Sequence, residues 1–143
     1  MKKEQKDVYS IFKKIPLVKL LSLIVFFVVL NILNVIKWEN PFYIQILTFL
    51  NNNIIIIITF SLLFYLGDLF SFFKFPVNTP SPLFYAFGSI ALTKFIFSIF
   101  YLISGPAEII QILKFFEYLI SAIIFFVILI FEYIEIFRRS NLR

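Results

Sequence analysis

The sequence predicts an all-α, polytopic membrane protein in which four transmembrane helices form a bundle. Three observations support this fold class. Hydrophobic residues make up 62% of the 143-residue chain, whereas about half is usual in soluble domains. Only 15% of the residues are charged. The apolar residues fall into four long stretches, each of ~20 residues, which is the length that a helix needs to cross a bilayer.

The residue types that are missing limit the chemistry of the chain. It contains no cysteine and no histidine, which excludes disulfides, thiolate metal sites and the commonest general base. No P-loop, dinucleotide fingerprint or nucleophile elbow occurs either. We therefore expect no catalytic residue, no cofactor and no metal. The net charge of +5 comes mainly from basic residues at span ends, so we expect no nucleic-acid partner.

Residues 1–15 precede the first span and are rich in lysine. Apolar residues recur at helical spacing, which indicates a short amphipathic helix on the membrane surface. They are Val8, Ile11, Phe12 and Ile15. A disordered basic flank that only fixes the orientation explains the same residues, and both interpretations stay open. We assign 16–137 to the transmembrane domain and 138–143 to a basic cytoplasmic tail.

The first span covers 16–36 and ends near Trp38, a residue type that favours the membrane interface. Asn31 and Asn34 lie about one turn apart on one face. Amides in lipid seek partners on neighbouring helices, so this face should point into the bundle. Lys19 lies one turn inside the span and can extend its ammonium towards the headgroups.

A short polar stretch separates the first two spans. Asn40 and Pro41 are typical of a helix start, with Asn as the cap and Pro at the first helical position. We predict a short interfacial helix at 41–50, followed by the second span at 54–73. The alternative is one long helix over 41–73, tilted or projecting from the membrane.

The third and fourth spans follow a proline-rich segment at 75–82, which predicts a loop. The third span covers 82–103, with Ser81 as its cap and the sequence at 104–106 as its end. Because its small residues allow close helix packing, we expect it to be the most buried helix. These residues are Ala86, Gly88, Ser89, Ala91 and Thr93. The fourth span covers about 115–134.

The basic residues near span ends predict the orientation by the positive-inside rule. The side that holds both termini collects nine of them: Lys2, Lys3, Lys6, Lys13, Lys14, Lys74, Arg138, Arg139 and Arg143. The other side has only Lys37 and Lys114. We therefore expect a protein of the cell membrane with both termini in the cytoplasm.

Two charges lie deepest in the predicted spans, Asp68 in the second and Lys94 in the third. A charge at the middle of a membrane helix costs ~2.5–3.5 kcal/mol, so it normally has a partner or a function. Since a short loop joins the two spans, they should be antiparallel neighbours. We predict a pair between Asp68 and Lys94, direct or through water. The supporting polar face would consist of Ser61, Tyr65, Ser98 and Tyr101.

This pair has three interpretations: a proton or ion relay, a structural ion pair, or a charge that meets a partner subunit. In the fourth span, Glu132 lies about a turn inside the cytoplasmic edge and could face Lys19 at a similar depth. A relay normally needs more than one pair. These residues therefore favour a structural or partner role over transport.

Our leading hypothesis is a non-enzymatic helical subunit or scaffold in the lipid bilayer. It would associate with itself, as a homo-oligomer, or with a partner membrane subunit, through the face of the third span. The alternative is a small transporter or channel that uses Asp68 and Lys94. A third hypothesis is a membrane-surface sensor that uses the basic segment 1–15.

Overall fold

A computed structural model describes the backbone of residues 2–36, 38–103 and 107–141, and the side chains of 18–36, 38–103 and 107–138. Over these residues the chain is all-helical, without a strand. The helices are α1 (Lys2–Val35), α2 (Pro41–Asn52), α3 (Ile54–Ser71), α4 (Ser81–Ile103) and α5 (Ala107–Asn141). Four of them, α1, α3, α4 and α5, are long and apolar enough to cross a membrane. The predicted fold class is therefore confirmed.

Helix α1 is one continuous helix of 34 residues. The helix continues through Pro16, so the predicted segment 1–15 and the first span belong to one helix. A membrane helix tolerates the missing backbone hydrogen bond of a proline, and no glycine stands nearby to end the helix. The side chains of residues 1–17, which would form the amphipathic face, lie outside the described residues, as does Lys37.

A short helix before the second span is confirmed. The side chain of Asn40 caps α2 by accepting hydrogen bonds from the backbone N–H groups of Phe42, at 2.9 Å, and Tyr43, at 3.3 Å. Only Asn53 separates α2 from α3, but this break excludes the single long helix over 41–73. No residue of α2 is buried.

The predicted loop between the second and third spans is also confirmed. Residues 75–80 form consecutive turns, and the backbone N–H groups of Val77, Thr79 and Ser81 donate to carbonyls three residues earlier. Helix α5 runs to Asn141, so residues 138–141 of the segment predicted as a tail are helical. The predicted end of the third span at 104–106 lies outside the described residues.

The four long helices lie in a row in the order α1, α3, α4, α5 rather than in a closed ring. Helix α4 packs along α3 on one side and along α5 on the other, while α1 packs less extensively on α3. Among the described residues, no comparable contact joins α1 to α5. The bundle is therefore open.

Helix α4 is the most buried helix, as the small residues predicted. Ala86 is 0% exposed and Ser89 is 5% exposed. The glycines of this helix pair allow close approach: a Cβ atom at Gly67 would lie 2.9 Å from the ring of Tyr85, and one at Gly88 would lie 3.0 Å from the ring of Phe64. The small face of α4 is consequently used within this chain, and little of it remains for a partner.

Candidate functional site

The candidate site is a polar cluster around Asp68, a residue of α3 that is 7% exposed. The ammonium of Lys19, from α1, lies 2.6 Å from its Oδ2 atom. The hydroxyl of Tyr85, from α4, donates a hydrogen bond of 2.5 Å to its Oδ1 atom. Three helices, α1, α3 and α4, therefore meet at this carboxylate. We call Lys19, Asp68, Ser71 and Tyr85 the Asp68 cluster.

The start of α4 is fixed against α3 by contacts next to the carboxylate. Ser81, the first residue of α4, donates from its hydroxyl to the carbonyl of Gly67 at 2.7 Å. The missing side chain of Gly67 leaves room for the ring of Tyr85. Ser71 donates to the carbonyl of Asp68 at 2.7 Å and lies beside the Tyr85 hydroxyl. These contacts fix the position of Tyr85 relative to Asp68.

The electrostatic environment of the ion pair is asymmetric. The side chain of Asp68 is 10% exposed and that of Lys19 is 44% exposed. Their short contact lacks the alignment of a good hydrogen bond, so it acts chiefly through charge. The ammonium also lies 6.0 Å from the centre of the Phe64 ring, a favourable distance for a cation–π interaction. Glu132 of α5 is within electrostatic range of Tyr85.

The arrangement can balance a buried negative charge and hold three helices in register. Removing either charge would leave the other without its partner in a medium of low dielectric constant. Within the part of the chain whose side chains are described, no three acidic residues converge in a way that could hold a metal ion.

The predicted partner of Asp68 is wrong: the structure pairs this carboxylate with Lys19 instead of Lys94. On α4, Tyr85 faces Asp68, and Lys94 follows nine residues later. That separation places Lys94 ~14 Å further along the helix and on its opposite side. The prediction compared the depths of the two charges but not their directions around α4. Lys19, which we predicted could face Glu132, forms its ion pair with Asp68.

A second polar contact joins the C-terminal end of α1 to α2. The amides of Asn34 and Asn51 exchange hydrogen bonds, with distances of 2.9 and 3.3 Å. The hydroxyl of Tyr43 donates to the carbonyl of Leu33 at 2.5 Å. Asn34 thus finds a partner on a neighbouring helix, as predicted. Asn31, by contrast, donates within its own helix to Phe27 at 2.8 Å.

The remaining residues of the predicted polar face do not join the Asp68 cluster. Tyr101 donates instead to the carboxylate of Glu117 on α5. Ser98 donates to the backbone carbonyl of Lys94 at 2.9 Å. Ser61 and Tyr65 are half-buried on α3. Lys94 itself is exposed in an open groove between α3 and α4.

Sequence reasoning missed Tyr85, Ser81 and the role of Lys19 as the ion-pair partner. One signal for Lys19 was present: it lies three residues after the predicted start of the first span, and Asp68 lies three residues before the end of α3 at Ser71. Charges at matched depth on antiparallel helices can meet. No comparable signal distinguished Tyr85 from the other tyrosines.

No protein-family model, no curated protein and no solved structure matches this chain.

Proposed function

We propose that this chain is a non-enzymatic helical subunit, or scaffold, of a larger assembly in the cell membrane. The observation that carries the proposal is the open row of helices. From Val18 to Val35, α1 has one buried residue, Leu30. Helix α1 is thus largely exposed, and because the helices lie in a row, the two broad faces of the α3–α4 pair stay accessible to lipid or to another protein.

The orientation belongs to the same proposal. The Asp68 cluster lies at the end of the molecule where the basic loop residue Lys74 and the basic end of α5 also lie. Basic residues favour the cytoplasmic side of a membrane. We therefore place both termini in the cytoplasm.

The alternative function, a small transporter or channel that uses Asp68 and Lys94, has weaker support. A relay requires its polar groups to follow one another along a path. The charge of Asp68 is balanced by Lys19, and Lys94 lies on the opposite side of α4. This geometry favours a structural ion pair.

The experiment is extraction of the full chain from native membranes in a mild detergent, followed by size analysis and identification of co-purifying proteins. We expect the chain to elute well above its monomer mass, together with a membrane protein in fixed stoichiometry or with further copies of itself. A second extraction at high detergent concentration should release the monomer. Elution of the monomer alone under mild conditions, with no partner after cross-linking in the intact membrane, would contradict the proposal.

A further inference from the structure

Lys94 presents a positive charge in an apolar groove on the outer surface of the α3–α4 pair. The groove is open and has a volume of about 410 Å³. It is lined, besides Lys94, by Ile56, Thr59, Leu63, Phe87, Ile90 and Ala91. Thr59 uses its hydroxyl to donate to the carbonyl of Ile55 at 2.7 Å. Among the described side chains, no carboxylate forms an ion pair with Lys94.

The position of Lys94 along α4 places its charge near the middle of the membrane. Thirteen residues separate it from Ser81 and nine separate it from Ile103, which correspond to ~20 Å and ~14 Å of helix. Helical side chains lean towards the N-terminus of their helix, and that is the more distant end. A lysine side chain, about 6 Å long by ordinary bond geometry, cannot bring its ammonium from here to a lipid phosphate.

Among the side chains that the structure describes, a second copy of this chain brings neither of its two nearest acids, Asp68 and Glu117, to the depth of Lys94. Asp68 is level with Tyr85, nine residues before Lys94, and is already paired with Lys19. Glu117 is level with Tyr101, seven residues beyond Lys94, and accepts a hydrogen bond from it. In a copy with the same orientation, these two acids would lie ~10 Å or more above or below the groove.

We propose that this groove binds a transmembrane helix of a different protein, and that the helix carries an aspartate or glutamate at its middle. The carboxylate would pair with Lys94, and apolar side chains on either side of it would fill the groove along α3 and α4. Charge complementarity identifies the partner, because an unpaired ammonium at mid-membrane is costly and an acidic side chain at the same depth removes that cost. This inference rests on the proposed role as a subunit and names the chemistry of its partner.

The test uses the full chain in phosphatidylcholine vesicles with a synthetic Leu/Ala transmembrane helix as the probe. One peptide carries a single Asp at its centre, and its matched control carries Leu there. Association is measured by energy transfer between labels on the chain and the peptide. We expect the chain to bind the Asp peptide about tenfold more tightly than the Leu peptide, the scale of one polar contact between membrane helices.

Variants of the lysine decide whether the preference comes from the groove. Lys94→Met should abolish the preference for the Asp peptide, and Lys94→Asp should transfer it to a peptide with a central Lys. Lys114→Met, which removes an exposed lysine on α5, is the matched control and should keep the preference. Equal binding of the Asp and Leu peptides, or a preference that survives in Lys94→Met, would overturn the inference. So would competition by phosphatidylglycerol, or self-association that depends on Lys94.

The outcome of the peptide experiment and the outcome for the proposed subunit role can be told apart. If the chain keeps a native partner after Lys94→Met, the subunit role stands and the groove is not its docking site. If native membranes yield only the monomer, the subunit role fails, whereas the peptide experiment still decides the chemistry of the groove.

Discussion

Gly67→Ala should destabilise the protein, because Tyr85 cannot move out of the way. The added Cβ atom would lie 2.9 Å from two ring atoms of Tyr85, about 0.6 Å inside the ordinary contact distance of ~3.5 Å between carbon atoms. The ring is held at its far end by the 2.5 Å bond from its hydroxyl to Asp68. Relief therefore requires α3 and α4 to separate or this bond to lengthen.

The magnitude follows from two opposing effects. Overpacking a well-packed contact costs about 1–3 kcal/mol, and alanine gains about 1 kcal/mol over glycine in a helix interior. The net loss in the free energy of unfolding should be about 1 kcal/mol. It can be measured by titrating the protein from mild micelles into sodium dodecyl sulfate while following helix content by circular dichroism.

The sign should reverse when the obstacle is removed. In a Tyr85→Ala background, Gly67→Ala meets no ring, so it should stabilise the protein by about 1 kcal/mol through helix propensity alone. Gly88→Ala is the control, because the Phe64 ring at 3.0 Å has no hydroxyl to hold it, and its loss should be smaller. If Gly67→Ala destabilises both backgrounds equally, the clash with Tyr85 is not the cause.

Three further predictions concern the polar contacts and the orientation. Asp68→Asn and Lys19→Met should each destabilise the protein by about 1–3 kcal/mol, and the double variant should lose less than the sum; additive losses in the same titration would argue against the ion pair. Asn34→Leu should cost about 0.6 kcal/mol, the mean for a hydrogen bond between membrane helices, and no change in unfolding would show that the link to α2 adds nothing. Because the chain has no cysteine, single cysteines report orientation cleanly: in intact cells an impermeant maleimide should label Glu39→Cys and spare Val77→Cys, and the opposite pattern would invert the proposed topology.

The number of long apolar helices could be predicted because it depends on local properties of the chain. Apolar length sets a membrane helix, and the cap at Asn40 and the proline-rich loop act within a few residues. The lysines and the helical spacing of apolar residues in 1–15 are also local signals, but they do not show whether that segment joins the first span in one helix, as it does in α1.

The candidate site was harder to predict because it depends on which side of each helix faces its neighbour, and the helices that meet there are distant in sequence. The sequence offers Asp68 two lysines in the spans, Lys19 at a matched depth and Lys94 on the helix that follows in sequence, and the prediction chose the second. The choice is made by packing: Gly67 admits the ring of Tyr85, and this fixes which side of α4 faces Asp68. A single missing side chain on α3 therefore decides the pairing, and periodicity does not carry that information.

The pairing of Lys19 with Asp68 also imposes an order on biosynthesis. Lys19 enters the membrane with the first helix, and its counter-charge is made 49 residues later, in α3. Until α3 has been inserted, Lys19 lacks this carboxylate, and its ammonium is solvated better at the lipid headgroups than in the apolar layer. The docking of α1 through this ion pair therefore has to follow the insertion of α3.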